Sequence, residues 1–437
     1  MIINIKFYGL SILNRNLCNN MGYTLRRLQF YTMLIFSSVC ICSSQSAKAQ
    51  YFEFSNNRKR ETINFRLVKN LMVIPLTING KGPYNFVLDT GVGLFLITDP
   101  KLVDTIQIKN LRTIRVTGFG DGKELSAFVT PSLRVQIGSA VAQSIPAAIL
   151  KDDVFELSSF AGMPIHGIVG YEFFSSFIVK LSYTNNTVTY FHPDKKYILR
   201  KGTKIPITIE EKKPYIITQI RLSSGEKIQA KLIIDTGAGH PVSLENYNGK
   251  PFEIPQVNIA ANLGIGLTGA INGFIGRIPS IKLGKYELQN VIASFPNYKD
   301  VGSKINMISR NGNMGNSILK RFDVVFDYAA GFMYLKPSSF LKEPFEHDMS
   351  GMELASVSPD YDRVIITRVE PLSPAEEIGL ITEDEILSIN FKPVKEMTMQ
   401  EIDGMFRSKN DRGFVLEIFR KEGKLRDRVI LTLKRRI

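Results

Sequence analysis

Short apolar runs, broken by turns rich in glycine and asparagine, recur along most of the chain and predict strands and hairpins rather than long helices. They also come in matched pairs. Leu71-Met72-Val73-Ile74 leads through Asn79-Gly80 to Phe86-Val87-Leu88, and the polar word Asp89-Thr90-Gly91 follows at once. Tyr215-Ile216-Ile217 leads through Ser224-Gly225 to Leu232-Ile233-Ile234, and Asp235-Thr236-Gly237 follows in the same way.

The match continues downstream. Gly118-Phe119-Gly120 begins 29 residues after Asp89, and Gly264-Ile265-Gly266 begins 29 residues after Asp235. Pro131 to Gly138 is echoed by Pro279 to Gly284, and Gly167-Ile168-Val169-Gly170 by Gly312-Asn313-Met314-Gly315. Each copy then closes with a predicted hairpin: Phe177–Tyr183 with Thr187–Phe191, and Phe322–Tyr328 with Phe332–Leu335. Ordered landmarks at near-constant spacing mark a duplicated lobe, and the period is far too long for a solenoid. What repeats most strictly is the polar loop, so the duplication points to chemistry as well as to architecture.

Composition narrows that chemistry. The chain has 437 residues, enough for two or three domains with real cores. Its three cysteines (Cys18, Cys40 and Cys42) all precede residue 50, and His166, His192, His240 and His347 show no metal-ligand spacing. Thiol nucleophiles and cysteine-built metal sites are therefore not expected beyond the leader. The formal net charge is +14, but residues 1–49 carry five bases and no acid, leaving 50 bases and 41 acids elsewhere. Those bases are scattered without interleaved aromatics, so no nucleic-acid surface is expected.

The leader itself reads as an export signal. Arg26-Arg27 precedes an apolar run from Leu28 to Cys42, and Ala47-Lys48-Ala49 gives a small-x-small cleavage word before Gln50. Translation begins at Met1 or at Met21. A periplasmic or extracellular destination is expected, with lipid attachment at Cys40 or Cys42 as the less favoured alternative. Membrane contact is expected only through an uncleaved leader.

An aspartate at a strand end, followed by Thr and Gly, suits one kind of site. Gly lets the backbone turn tightly. Its N–H can hold the carboxylate, and the threonine hydroxyl can bond across to the other loop. Two such loops meeting about a pseudo-two-fold axis put two carboxylates within hydrogen-bonding distance. Like charges that close do not both ionise cheaply, so the pair retains one proton. The ionised partner can then deprotonate a water while the protonated one polarises a carbonyl. That chemistry requires no metal, no other cofactor and no covalent intermediate.

With these words the chain resembles the retropepsin-like and pepsin-like aspartic peptidases over about residues 65–337. The resemblance implies a mostly β, two-lobed, pseudo-symmetric acid-protease β-barrel fold. It implies catalytic Asp89 and Asp235, supported by Thr90, Gly91, Thr236 and Gly237, with Gly170 and Gly315 passing behind the two loops. It makes Gly118, Phe119 and Gly120, and likewise Gly264, Ile265 and Gly266, candidates for flexible flaps over a polypeptide substrate; the alternative for both is an ordinary glycine turn. The chain departs from the family pattern at Asn313-Met314, at Gly93 and Gly239, and in having no flap tyrosine. His240 is a candidate substrate contact or a loop residue with a local hydrogen bond.

Beyond Pro337 the texture changes. Ser373-Pro374-Ala375, Gly379-Leu380 and Asp384-x-Ile386-x-x-Ile389-Asn390 resemble a bacterial-type PDZ domain over about residues 349–437, a small α+β unit. Helices are predicted after Ser373 and from Met399 to Phe406, and a closing hairpin from Phe414. The resemblance implies that Gly351, Met352, Glu353 and Leu354 receive a peptide carboxylate and that the peptide adds as a strand. The expected order is a signal peptide (1–49), a short extension or pro-segment or disordered start (50–64), lobe one (65–195), lobe two (196–337), a polar linker (338–348) and the PDZ domain (349–437). The expected activity is hydrolysis of peptide bonds, with peptide or protein C-termini as PDZ partners. The alternative is an inactive peptidase-like scaffold that binds peptides. A phosphotransfer site is disfavoured, because it wants a Lys or second Asp in the loop and a βαβ setting.

Overall fold

The computed structural model describes residues 51–116, 125–195, 202–266, 269–298, 301 and 310–437. The leader, its three cysteines and the first flap candidate, Gly118-Phe119-Gly120, lie outside the described residues.

Two sheets repeat one topology. In lobe one, strands Leu71–Ile78, Lys81–Leu88, Gly167–Val169, Phe95–Ile97, Ala140–Leu150 and Leu125–Ile137 pair in that order, and the last pairs back to the first. In lobe two, Lys213–Arg221, Lys227–Ile234, Gly312–Met314, Val242–Leu244, Tyr286–Pro296 and Gly269–Leu283 close the same ring. Closing the ring removes free edges and leaves two small barrels, each filled by alternate side chains such as Ile74, Phe86 and Leu88, or Ile216, Leu232 and Ile234.

The closing hairpins of the two copies join. Ile178–Ser182 pairs antiparallel with Phe322–Asp327, in the register Val179 to Phe326 and Leu181 to Val324. The resulting six-stranded sheet runs Thr203–Pro206, Phe332–Pro337, Phe322–Asp327, Ile178–Ser182, Thr187–Phe191, Arg60–Asn64. It is the base on which both lobes stand. Phe173, Phe174, Phe177 and Tyr183 are buried with Tyr190 of its own strand Thr187–Phe191, each contributing about 1.5–3 kcal/mol by leaving water.

Within residues 51–64, Phe52 and the strand Arg60–Asn64 are tied to this core, which differs from the expected disordered start. Phe52 is fully buried against Phe173, and its N–H donates to Ser176 Oγ (2.9 Å). Arg60–Asn64 forms the outermost strand of the shared sheet. The expected linker is likewise tied down. Buried Arg321 donates to the carbonyls of Phe340, Leu341, Glu343 and Pro344, and its guanidinium lies 3.6 Å from the Phe345 ring centroid.

The C-terminal unit is a sheet ordered Met352–Ser356, Val364–Val369, Glu385–Ile389, Gly413–Arg420, Leu425–Thr432 around its own apolar cluster. Ser373 caps the helix Pro374–Glu377. Thr398 and Glu401 form a reciprocal capping box on the helix Met399–Phe406.

Candidate active site

Each Asp-Thr-Gly word begins where a barrel strand ends. The Asp89 N–H donates to Val169 O (2.8 Å) and the Asp235 N–H to Met314 O (2.9 Å), so the element behind each loop holds its aspartate in place. The backing glycines are sterically required. A Cβ on Gly170 would fall 2.0 Å from Asp89 O, and one on Gly315 would fall 2.1 Å from His240 O.

The threonines lock the loops together. Thr90 N–H donates to Thr236 Oγ1 and Thr236 N–H to Thr90 Oγ1, both at 3.0 Å. Each hydroxyl then donates across the interface: Thr90 Oγ1 to Ile234 O (2.6 Å) and Thr236 Oγ1 to Leu88 O (2.9 Å). Both threonines are fully buried, so all four bonds form away from water, where an unmade bond is costly.

This lock brings the two carboxylates together. Gly91 N–H donates to Asp89 Oδ1 (2.6 Å), while the single N–H of Gly237 lies 3.1 Å from Asp89 Oδ1 and 3.0 Å from Asp235 Oδ1. The shared Gly237 N–H thus sets the two carboxylates side by side. Burial first, and then the charge of Asp235, push the Asp89 carboxyl well above the ordinary carboxylate range; the Gly91 and Gly237 N–H groups oppose that rise only in part. Both aspartates keep partial access to solvent, as a site open to a water and a substrate must.

The two halves of the site are not identical. Asn313 stands where lobe one has Ile168, since each pairs with the second apolar residue before its aspartate. Its Nδ2 lies 3.5 Å from Asp235 Oδ2, and its Oδ1 lies 2.6 Å from His240 Nε2. His240 thus has the local hydrogen bond that was one of its two expected roles. Sequence reasoning noted Asn313 only as a departure; the signal for its role was the polar-for-apolar difference between aligned copies. Two further groups were missed. Arg310 and Glu245 form a buried ion pair (2.8 Å) beside His240. Asn70, in the turn before the first repeated strand, donates through Nδ2 to Gly239 O (3.1 Å) and accepts from Asn316 Nδ2.

The second flap candidate ends a hairpin of Asn258–Gly266 with Gly269–Leu283, with a register shift between Asn262 and Ile265. Ile265 is exposed, and Gly264 has a φ of +127°, a backbone position that suits glycine. In lobe one the matching hairpin is Arg112–Val116 with Leu125–Ile137.

In the C-terminal unit, the first two N–H groups of the expected carboxylate loop, those of Gly351 and Met352, are engaged within the chain. Ser350 N–H (2.9 Å) and Gly351 N–H (2.8 Å) donate to Asp348 Oδ1, and Met352 N–H donates to Ser350 Oγ (3.1 Å). Glu353 accepts from Arg368 (2.6 Å), and Leu354 O accepts from Lys69 Nζ (3.2 Å). Among the described residues, no group of three or more His, Cys, Asp or Glu side chains is placed to hold a metal ion.

Comparison with known proteins agrees with the two resemblances. The aspartyl protease family model matches residues 74–173, and the PDZ domain model matches residues 365–420. No curated protein matches the chain. Among solved structures, the chain is similar to the photosystem II D1 C-terminal processing protease, at 18% identity and a TM-score of 0.18, over 19% of this chain and 22% of that one. It is similar to basic 7S globulin from soybean, at 9% identity and a TM-score of 0.35, over 66% of this chain and 97% of that one. It is also similar to an aspartic proteinase from Irpex lacteus, at 12% identity and a TM-score of 0.37, over 65% of this chain and 99% of that one. The chain thus spans under a quarter of the first of these structures and nearly all of the other two. The aspartyl protease match is thus followed along the chain by the PDZ domain match.

Proposed function

We propose that this protein is an exported aspartic endopeptidase, in which Asp89 and Asp235 activate one water against a peptide bond and the PDZ domain binds peptide or protein C-termini. The observation that carries the reading is the Gly237 N–H, which lies within hydrogen-bonding distance of one oxygen on each aspartate. One nitrogen so placed fixes the two carboxylates side by side, as a shared proton requires.

The roles follow from the asymmetry of the pair. Asp89, raised by burial and by its neighbour's charge, holds the proton. Asp235, with the Asn313 amide near its outer oxygen, is assigned the part of the base. It takes a proton from the water as the hydroxide oxygen bonds to the scissile carbonyl carbon. Asp89 gives its proton to the carbonyl oxygen, leaving a neutral tetrahedral diol. The proton on Asp235 then passes to the amide nitrogen as the C–N bond breaks, and a diol proton returns to Asp89. The hairpin ending at Gly264, Ile265 and Gly266 is the flap candidate that would close over the chain being cut.

The test is cleavage of unfolded casein at mildly acid pH by the chain beginning at Gln50. Asp89→Asn and Asp235→Asn are each expected to lower the rate by about 10³-fold, and pepstatin to inhibit the parent. Equal cleavage by the parent and Asp235→Asn would remove the assignment. N-terminal sequencing of protein recovered outside the cytoplasm should begin at Gln50.

A further inference from the structure

The strand that a PDZ ligand would extend is Met352–Ser356, which ends its sheet and pairs with Val364–Val369 on one side only. Its other side is not open. The lobe-one helix Leu157–Ala161 packs against this strand and against the helix Met399–Phe406. The fit is close: a Cβ on Gly162 would lie 2.6 Å from Met399 Cγ and 3.0 Å from Ser356 Oγ. Lys69 enters from the adjoining turn. Its N–H donates to Gln400 Oε1 (2.6 Å), its Nζ donates to Leu354 O on the strand edge (3.2 Å), and the same Nζ sits 4.2 Å from the Phe160 ring centroid.

We propose that lobe one occupies the ligand edge of the PDZ domain in cis, and that a peptide with a free C-terminal carboxylate gains Leu354 only by displacing Lys69 and the helix Leu157–Ala161. The inference rests on the peptide-binding part of the function proposed above and names how that site is regulated. The displaced turn also reaches the dyad. Lys69 faces the PDZ domain, while its neighbour Asn70 holds Gly239 O, two residues after Gly237. In a second link between the PDZ unit and the lobes, Asn262 of the hairpin Asn258–Gly266 with Gly269–Leu283 donates to Glu353 Oε2 (3.4 Å). A ligand at the PDZ edge and an inhibitor at the dyad are therefore coupled, and each changes the other's affinity by the same factor.

The experiment uses the chain from Gln50 carrying Asp89→Asn, so that no probe is cut. The probe is the tightest binder from an arrayed library of heptapeptides with free C-terminal carboxylates, compared with its amidated form. Lys69→Ala lies on the lobe side of the contact and is expected to tighten binding about tenfold, with Gln400→Ala acting in the same direction from the PDZ side. Saturating peptide is expected to raise amide hydrogen exchange across residues 157–163. Equal affinity in the parent and Lys69→Ala, or saturation without change at 157–163, overturns occupation in cis while leaving PDZ peptide binding intact. If no form binds any carboxylate peptide, the peptide-binding reading fails and this inference with it; casein cleavage reports separately on the dyad.

Discussion

A side-chain carbon on Gly237 would lie 2.3 Å from Asp89 Cγ, across the interface between the lobes. One of the two residues that position the Asp89 carboxylate, alongside Gly91 of its own loop, thus belongs to the other copy of the repeat, and the bare backbone there is what lets the two acids meet. Gly237→Ala forces the carboxylate aside. It is expected to cost about 1–3 kcal/mol of stability and to lower kcat/KM by about 10²-fold or more, read by urea unfolding and peptide cleavage on the same preparation.

Thr90→Val removes a buried hydroxyl and leaves the Ile234 carbonyl and the Thr236 N–H without their partners. The expected loss is about 2–4 kcal/mol by denaturant unfolding. Thr236→Val should cost a similar amount, because its bonds mirror those of Thr90. The two substitutions orphan different groups but act on one hydrogen-bonded lock, so the cost of the double variant should depart from the simple sum of the two.

Asp89 should make stability depend on pH in the unusual direction. Its folded pKa is raised, so between the unfolded and folded values the native state binds more protons than the unfolded chain. Its contribution is complete below the ordinary carboxylate pKa and is lost as pH rises through the folded value. Asp89→Asn is therefore expected to unfold at a higher temperature than the parent at neutral pH, with the difference vanishing near pH 3. Activity of the parent should fall on the alkaline side as the shared proton leaves. Identical melting profiles for parent and variant across that range would contradict the assignment.

Arg310 and Glu245 are both almost completely buried, and neither can recover its hydration if the other is removed. Arg310→Met should cost about 3–5 kcal/mol in thermal or denaturant unfolding. Adding Glu245→Gln to that variant should recover a large part of the loss, because the cost lies in the stranded charge rather than in the missing attraction.

Much of this architecture is written locally in the chain. The strands before Asp89 and Asp235 are uninterrupted apolar runs because their ends are buried on both faces, and the backing glycines recur because a Cβ at either would overlap a carbonyl. The PDZ helices carry their own start signals at Ser373 and Thr398. Asn313, by contrast, read as an irregularity in a repeated word; its meaning depends on what stands beside it, namely Asp235 and His240. Phe52 had no neighbouring pattern to mark it, because the partners that bury it, Phe173 and Ser176, lie more than a hundred residues later.

Sequence alone determined that the chain is a duplicated β-rich lobe with paired aspartates and a separate C-terminal unit, because strand periodicity, turn chemistry and repeat spacing act over short stretches of chain. Only the tertiary structure decided that the closing hairpins merge into one sheet, that Gly237 serves the aspartate of the opposite lobe, and that Lys69 meets Gln400. Those are single contacts between distant segments. Each is set by how packed surfaces fit once the barrels have closed, and such a fit leaves no period or motif along the chain.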